Sequence, residues 1–142
     1  MPASTGVDLA ARLCCCPGPH SAPSRLGAGC QKHSKQLIET DQYDIFGDAS
    51  VIIKFAPGHT PGHQMLFIRL KNTKPVLLSG DLYHFPQEKT LNRFPVFEFD
   101  KGQTRRTRLE LDDFLKTTGA SLWIQHDFIA NGKLRKAPEF YD

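Results

Sequence analysis

One loop, residues 55–63, constrains the fold and the chemistry of this chain more than any other stretch. It reads FAPGHTPGH and contains two Pro-Gly pairs, each followed directly by a histidine, His59 and His63. Apolar runs at 51–55 and 65–68 flank the loop, which predicts two strands joined by it. Proline fixes φ, and glycine permits backbone angles closed to other residues, so the loop should be rigid and kinked. Such a loop can hold an imidazole at the fixed position that a metal centre requires.

Two further candidate ligands follow apolar runs that read as strands. Residues 77–81, LLSGD, end in Asp81, and residues 122–127, LWIQHD, contain His126. Side chains at strand ends in layered α/β proteins converge on one edge of the sheet, where active sites collect. A single loop histidine is most often merely solvated. Three residues at strand ends, His59, Asp81 and His126, instead indicate a zinc or two-metal site.

Three ordered motifs resemble those of the metallo-β-lactamase-fold hydrolases, and among them the N-acyl-homoserine-lactonase-like members. They are PGHTPGH at 57–63, SGD at 79–81 and QHD at 125–127. The resemblance extends over about residues 35–142. It implies the C-terminal half of an αββα sandwich. The expected class is α/β (α+β), with a mostly antiparallel sheet and one amphipathic helix packed on it.

The resemblance also implies a role for each matched residue. The histidine that matches His59 binds one metal ion in the family, and the aspartate that matches Asp81 bridges two. The histidine that matches His126 binds the second ion. His63 is expected to shape the loop or to support a ligand rather than to bind metal itself.

The family's first metal motif, His-x-His-x-Asp-His, has no counterpart upstream of the loop, where only His20 and His33 occur. The complete fold holds two zinc ions. We expect at most one weak zinc site from this chain, which reads as a truncated second half. A missing N-terminal half is therefore an expected partner. Two interpretations stay open: a metal-dependent hydrolase by family, and a non-catalytic fragment or partner half.

Zinc accepts imidazole and carboxylate ligands together, and paired metals can activate a hydroxide that attacks a carbonyl. The resemblance implies a small-molecule lactone or ester as substrate, as in quorum quenching, with glyoxalase-II-like thioester hydrolysis as the alternative. Asp81 favours these classes over lactam-cleaving members, which have cysteine at the matching position. Lactonases carry a tyrosine shortly after this aspartate, so Tyr83 is a candidate for stabilising the oxyanion. Asp127 is either a residue that orients an imidazole from behind or a solvated carboxylate.

Residues 1–34 differ in composition from the rest and hold all four cysteines, three of them adjacent at 14–16 and the last at Cys30. They lack the paired C-x-x-C spacing of a zinc module. We predict a disordered segment or one that is not native to the fold, and 35–142 as the family-like domain. A metal-binding tail is the alternative.

Charge and hydropathy exclude several classes of function. The net charge of +3 is too weak to indicate a nucleic-acid partner. No apolar run approaches the roughly 18 residues that a membrane span needs, so no membrane association is expected. No hydrophobic secretory segment follows the start, which predicts a cytoplasmic protein.

Periodicity places the remaining elements. Strands are predicted at 36–39, 51–55, 64–70, 75–79 and 121–125. A helix should begin after an Asp100 cap and stop at Gly119, with an apolar stripe that packs on the sheet. The arginines of this helix are expected to face solvent. The aromatic residues of 82–99 could line a substrate wall or fill the core. The apolar stripe consists of Thr107, Leu111, Phe114, Leu115 and Thr118, and the arginines are Arg105, Arg106 and Arg108.

Overall fold

The computed structural model of the chain describes residues 38–142. The segment 1–34, predicted to be disordered or non-native, lies outside the described residues. Of the predicted strand 36–39, the described residues Ile38 and Glu39 are not in a strand. The first strand begins at Gln42, because it is Gln42 that pairs with Lys54 of the next strand.

Five short strands form one mixed sheet in the order β1-β2-β3-β4-β5. The pairs β1–β2, β2–β3 and β3–β4 are antiparallel, and β5 pairs parallel with β4. The predicted α+β class is therefore confirmed. The strands are β1 (Gln42–Asp44), β2 (Val51–Phe55), β3 (Gln64–Ile68), β4 (Val76–Leu78) and β5 (Ser121–Trp123).

The long helix lies between β4 and β5 in the chain and makes their parallel pairing possible, since parallel neighbours need a long crossover. Helices α1 (Pro86–Thr90), α2 (Lys101–Thr118) and α3 (Phe128–Lys133) follow a 3-10 turn at Gly80–Leu82. None of the helices within residues 38–142 has the length and apolarity needed to span a membrane.

Helix α2 has the ends that the sequence predicts. The Asp100 carboxylate accepts a hydrogen bond from the Gln103 N–H at 3.0 Å, and Gly119 closes the helix with a left-handed φ of 66°. Leu111 on its apolar face is buried in the core, and the Phe114 ring meets Phe67 of β3 edge-on at 5.0 Å. The helix therefore packs its apolar stripe on the sheet, as expected.

Arg108 corrects one prediction, because its side chain is buried rather than facing solvent. Only 5% of the residue is exposed, whereas Arg105 and Arg106 are exposed. Its guanidinium donates to the carbonyl oxygens of Leu82 (Nη2, 2.8 Å) and Arg93 (Nη1, 2.6 Å). Burial is tolerated because these acceptors and a carboxylate satisfy the charged donors.

The aromatic residues of 82–99 differ in burial. Tyr83 belongs to the core, where it packs with Phe67, Leu77 and Leu82. Phe97 is 64% exposed and stands at the candidate site. Tyr83 thus fills the core, and the substrate-wall role of the exposed rings stays a prediction.

Candidate metal centre

The loop between β2 and β3 is fastened to the first turns of α2. The Asp100 N–H donates to the Gly58 carbonyl oxygen at 2.9 Å, and the Thr107 hydroxyl donates to the Pro57 oxygen at 2.8 Å. Gly58 has a φ of 138°, and a Cβ there would lie 2.4 Å from the Thr104 backbone nitrogen. Only glycine allows this close approach, so the loop geometry follows from the sequence at this position.

His59 is held from behind by a buried carboxylate. Its Nδ1 lies 3.3 Å from Glu98 Oε1, and the Glu98 side chain is fully buried. Glu98 Oε2 accepts a hydrogen bond from the Thr104 hydroxyl at 2.5 Å. A proton on Nδ1 leaves the Nε2 lone pair facing the site, which is the arrangement that supports a metal-binding histidine. Glu98 was not among the site residues predicted from sequence. The one sequence feature that points to Glu98 is its place between two aromatic residues just before the Asp100 helix cap.

His63 links the loop to the third motif. Its Nδ1 donates to the Ala56 carbonyl oxygen at 2.9 Å, and its Nε2 accepts from the Asp81 N–H at 2.8 Å. A neutral His63 imidazole therefore uses both of its ring nitrogens in hydrogen bonds. This fits the expected loop-shaping role. Burial lowers the pKa of His63 below its ordinary value. Gly80, with a φ of 54°, leaves room for the ring, since a Cβ there would lie 2.5 Å from His63 Nε2.

Asp81 presents its two carboxylate oxygens to two different histidines. Oδ1 lies 2.8 Å from His126 Nε2, and Oδ2 lies 3.7 Å from His59 Nε2. The hydrogen bond with His126 is the main reason that the pKa of Asp81 is lowered, with the His59 charge adding to it. The structure thus brings together the three residues that the motifs singled out.

A fourth residue, His84, joins this group without having been predicted as a site residue. His59, Asp81 and His84 each offer a ligand atom within 4.8 Å of the others. The His84 ring lies 5.2 Å from the His59 ring and stacks on His126 at 5.3 Å. Its position three residues after Asp81 was the only signal in the sequence.

Tyr83 and His84 point to opposite sides because the backbone at Tyr83 is extended, with φ −137° and ψ 128°. The Tyr83 ring is 2% exposed and packs beneath the Arg108 guanidinium at 4.3 Å. Burial raises the pKa of its phenol to about 12. The structure therefore places Tyr83 in the core, with the Lys89 ammonium also near its ring, 5.6 Å from the centroid.

Asp127 lies beside the site in sequence but caps a helix in space. Its Oδ1 accepts a hydrogen bond from the Ala130 N–H at 2.9 Å, which starts α3. The carboxylate that stands behind His59 is that of Glu98. Asp127 holds the chain direction immediately after His126.

An apolar groove opens beside the histidines. It has a volume of about 470 Å³, and aromatic rings make up much of its wall. Phe97 meets His59 and His84 edge-on, with ring centroids 5.9 and 5.4 Å apart. The residues that line it include His84, Phe85, Phe94, Pro95, Phe97 and His126.

The chain is similar to bacterial lactonases. It is 36% identical over 103 residues to the N-acyl homoserine lactonase AttM of Rhizobium radiobacter, which covers 72% of this chain and 39% of that protein. It is 29% identical over 105 residues to an N-acyl homoserine lactonase of Bacillus thuringiensis, with 74% and 40% covered. No protein-family model matches the sequence.

A solved structure shares the fold. It is an N-acyl homoserine lactone hydrolase with the product N-hexanoyl-L-homoserine bound at the catalytic metal center. The TM-score is 0.62 at 27% identity, with 71% of this chain and 39% of that chain covered. The chain thus spans about two fifths of the length of the relatives it matches. Over this shared region it belongs to the N-acyl-homoserine-lactonase-like members of the metallo-β-lactamase-fold superfamily.

Proposed function

We propose that this chain is the C-terminal half of a metal-dependent hydrolase that opens lactones or related esters. It supplies the metal ligands that lie in that half. One observation carries the proposal: the two oxygens of Asp81 face two different imidazoles, at 3.7 Å from His59 and 2.8 Å from His126. A carboxylate so placed can serve two metal ions at once, one beside each histidine.

The donor set fits zinc, which takes imidazole nitrogen and carboxylate oxygen together. In the completed two-metal centre, His59, Asp81 and His126 would hold zinc. Bound zinc would supply an activated water and polarise the carbonyl of the substrate. Glu98 would keep the His59 lone pair directed at the site, and the lowered pKa of Asp81 keeps its carboxylate ionised at neutral pH. We propose that Asp127 supports His126 from behind by capping the start of α3 through its hydrogen bond from the Ala130 N–H.

The substrate class follows from the groove beside the ligands. Its aromatic wall, which includes Phe85, Phe94 and Phe97, suits an acyl chain, and His84 and His126 line the same groove. N-acyl homoserine lactones combine these two parts, as the names of the relatives indicate. A thioester with a similar acyl group is the second candidate.

Tyr83 remains the predicted oxyanion-stabilising residue. Because Tyr83 is 2% exposed, its side chain would have to become accessible to reach a substrate, and a substitution tests this. Replacing Tyr83 with Phe should lower lactone turnover in an active form of the enzyme if the hydroxyl takes part. Unchanged turnover would remove Tyr83 from the site.

A complete two-metal centre needs ligands beyond those of this chain. We propose that a segment with the His-x-His-x-Asp-His pattern provides them, as an N-terminal half or a partner chain. The isolated chain should then bind at most one zinc ion and hydrolyse lactones slowly. The alternative, a non-catalytic fragment, predicts no turnover under any condition.

Complementation tests the proposal. The chain is coexpressed with the N-terminal half of a lactonase relative, and zinc content and N-acyl homoserine lactone hydrolysis are measured. We expect turnover far above that of either half alone, and we expect Asp81→Asn to abolish it. The matched control is Asp113→Asn, an exposed aspartate on α2 whose carboxylate pairs with Lys116. Absence of turnover in a stable complex, or full turnover with Asp81→Asn, would overturn the proposal.

A further inference from the structure

His84 is supported by a chain of buried charges that the family motifs do not include. The backbone N–H of His84 donates to Glu88 Oε2 at 3.1 Å, and its ring Nδ1 lies 3.6 Å from Glu88 Oε1. Arg108 donates through Nη2 to Glu88 Oε2 at 3.1 Å. The side chains of Glu88 and Arg108 are 13% and 6% exposed. Helix α2 therefore fixes α1, and α1 fixes the His84 ring.

The ring nitrogens of His84 have different surroundings. Nδ1 is buried and has no hydrogen-bond partner at normal distance, although the Glu88 carboxylate stands 3.6 Å away. A proton on Nδ1 is favoured by that negative charge, which leaves Nε2 with a free lone pair. This repeats the arrangement of His59, whose Nδ1 faces Glu98 at 3.3 Å.

We infer that His59, Asp81 and His84 form a single-ion site complete within this chain, with Glu88 and Arg108 as positioning residues for His84. The three ligand atoms lie within 4.8 Å of one another, so a small shift brings all of them to a shared zinc ion. Three protein ligands leave the fourth tetrahedral position open to water or substrate.

In this site His126 supports a ligand instead of binding the first ion. Its Nε2 is hydrogen-bonded to Asp81 Oδ1 and holds the carboxylate so that Oδ2 faces His59. His126 stays available as a ligand for a second ion in a completed centre. The inference rests on the metal chemistry of the proposed function but not on hydrolysis. Zinc binding without lactone turnover would therefore refute the proposed hydrolysis and leave the single-ion site standing.

Metal binding by the full 142-residue chain without a histidine tag tests this inference. Zinc affinity is measured by competition with a chromophoric chelator, with thermal unfolding of the metal-free protein followed in parallel. We expect one ion per chain. His84→Gln should weaken binding by more than about 100-fold, beyond the roughly 10- to 100-fold loss typical of residues behind the ligands. His126→Gln, which changes the other ring of the stacked pair, should lower zinc affinity less than His84→Gln does.

Glu88→Gln separates positioning from folding. Glutamine keeps the acceptor for the His84 N–H but removes the charge behind Nδ1, so zinc affinity should fall by about 10- to 100-fold. Cobalt substitution gives a second readout, since NMR detects shifted ring signals only from coordinated histidines. Wild type and His126→Gln should both show two coordinated imidazoles, and His84→Gln should show one. Unchanged affinity in His84→Gln, or a greater loss in His126→Gln, would overturn the inference.

Discussion

The Nε2 atom of His63 accepts a hydrogen bond from the backbone N–H of Asp81 at 2.8 Å. The two residues are 18 positions apart in the chain. Their bond joins the Pro-Gly loop to the turn after β4. His63 Nδ1 meanwhile donates to the Ala56 oxygen at the start of the loop. The second histidine of the loop thus fixes where the aspartate stands relative to the first, His59.

His63 should make the stability of the protein fall in mild acid. Its pKa is lowered in the folded state by burial, so the unfolded chain binds its proton more readily. The contribution is present above the unfolded value of about 6.5 and is lost as the pH falls below it. We expect the free energy of unfolding in urea to drop between pH 7.5 and pH 5.5.

A His63→Gln variant serves as the control, because it removes the titration while keeping a polar side chain. Its stability should be lower than that of wild type at pH 7.5 and should depend less on pH. An equal pH dependence in the two proteins would show that His63 is not responsible.

Gly58→Ala should destabilise the chain by about 2–5 kcal/mol, since it combines an unfavourable φ with overpacking. The new Cβ would meet Thr104 backbone atoms at 2.4 and 2.6 Å, which flexible side chains cannot relieve. Chemical denaturation measures the change.

Gly62 offers a matched control in the same loop. A Cβ there meets nothing within 4 Å, and its φ is not in the left-handed region. Gly62→Ala should therefore change stability by no more than about 0.5 kcal/mol. Similar costs at the two positions would contradict the docking of the loop on α2.

Arg108→Met should cost about 3 kcal/mol or more, because it leaves the carboxylate of Glu88 and the carbonyl oxygens of Leu82 and Arg93 without their donors. Methionine keeps the length of the side chain, so the loss reports charge and hydrogen bonding. Arg106→Met, at an exposed position of the same helix, should stay within about 0.5 kcal/mol of wild type. Equal unfolding midpoints for the two variants would argue that Arg108 is exposed in solution.

Glu98→Gln should weaken zinc binding by about 10- to 100-fold, because it removes the negative charge behind His59. The glutamine can still accept from Thr104, so most of the stability should be retained. Glu110→Gln on the exposed side of α2 is the control and should bind zinc as wild type does. A loss of stability in Glu98→Gln with unchanged zinc affinity would assign Glu98 a purely structural role.

The sequence by itself determined the elements whose causes are local. Asp100 and Gly119 mark the ends of α2 because capping depends on a few neighbouring residues. The positions of β2 and β3 follow from apolar runs beside two Pro-Gly pairs. His59, Asp81 and His126 were identified because strand ends are readable from pattern, and the fold brings them together.

Only the tertiary structure decided which charged groups are buried and which ring faces the site. Glu98 and Arg108 look like surface residues in the sequence, and their burial depends on partners 6 to 39 residues away. The position of the His84 ring beside His59 and of the Tyr83 ring in the core depends on the backbone after the 3-10 turn, since one extended residue sends neighbouring side chains to opposite sides. Periodicity records the spacing of side chains along an element, but it holds no information about the contacts between elements that stabilise a buried charge.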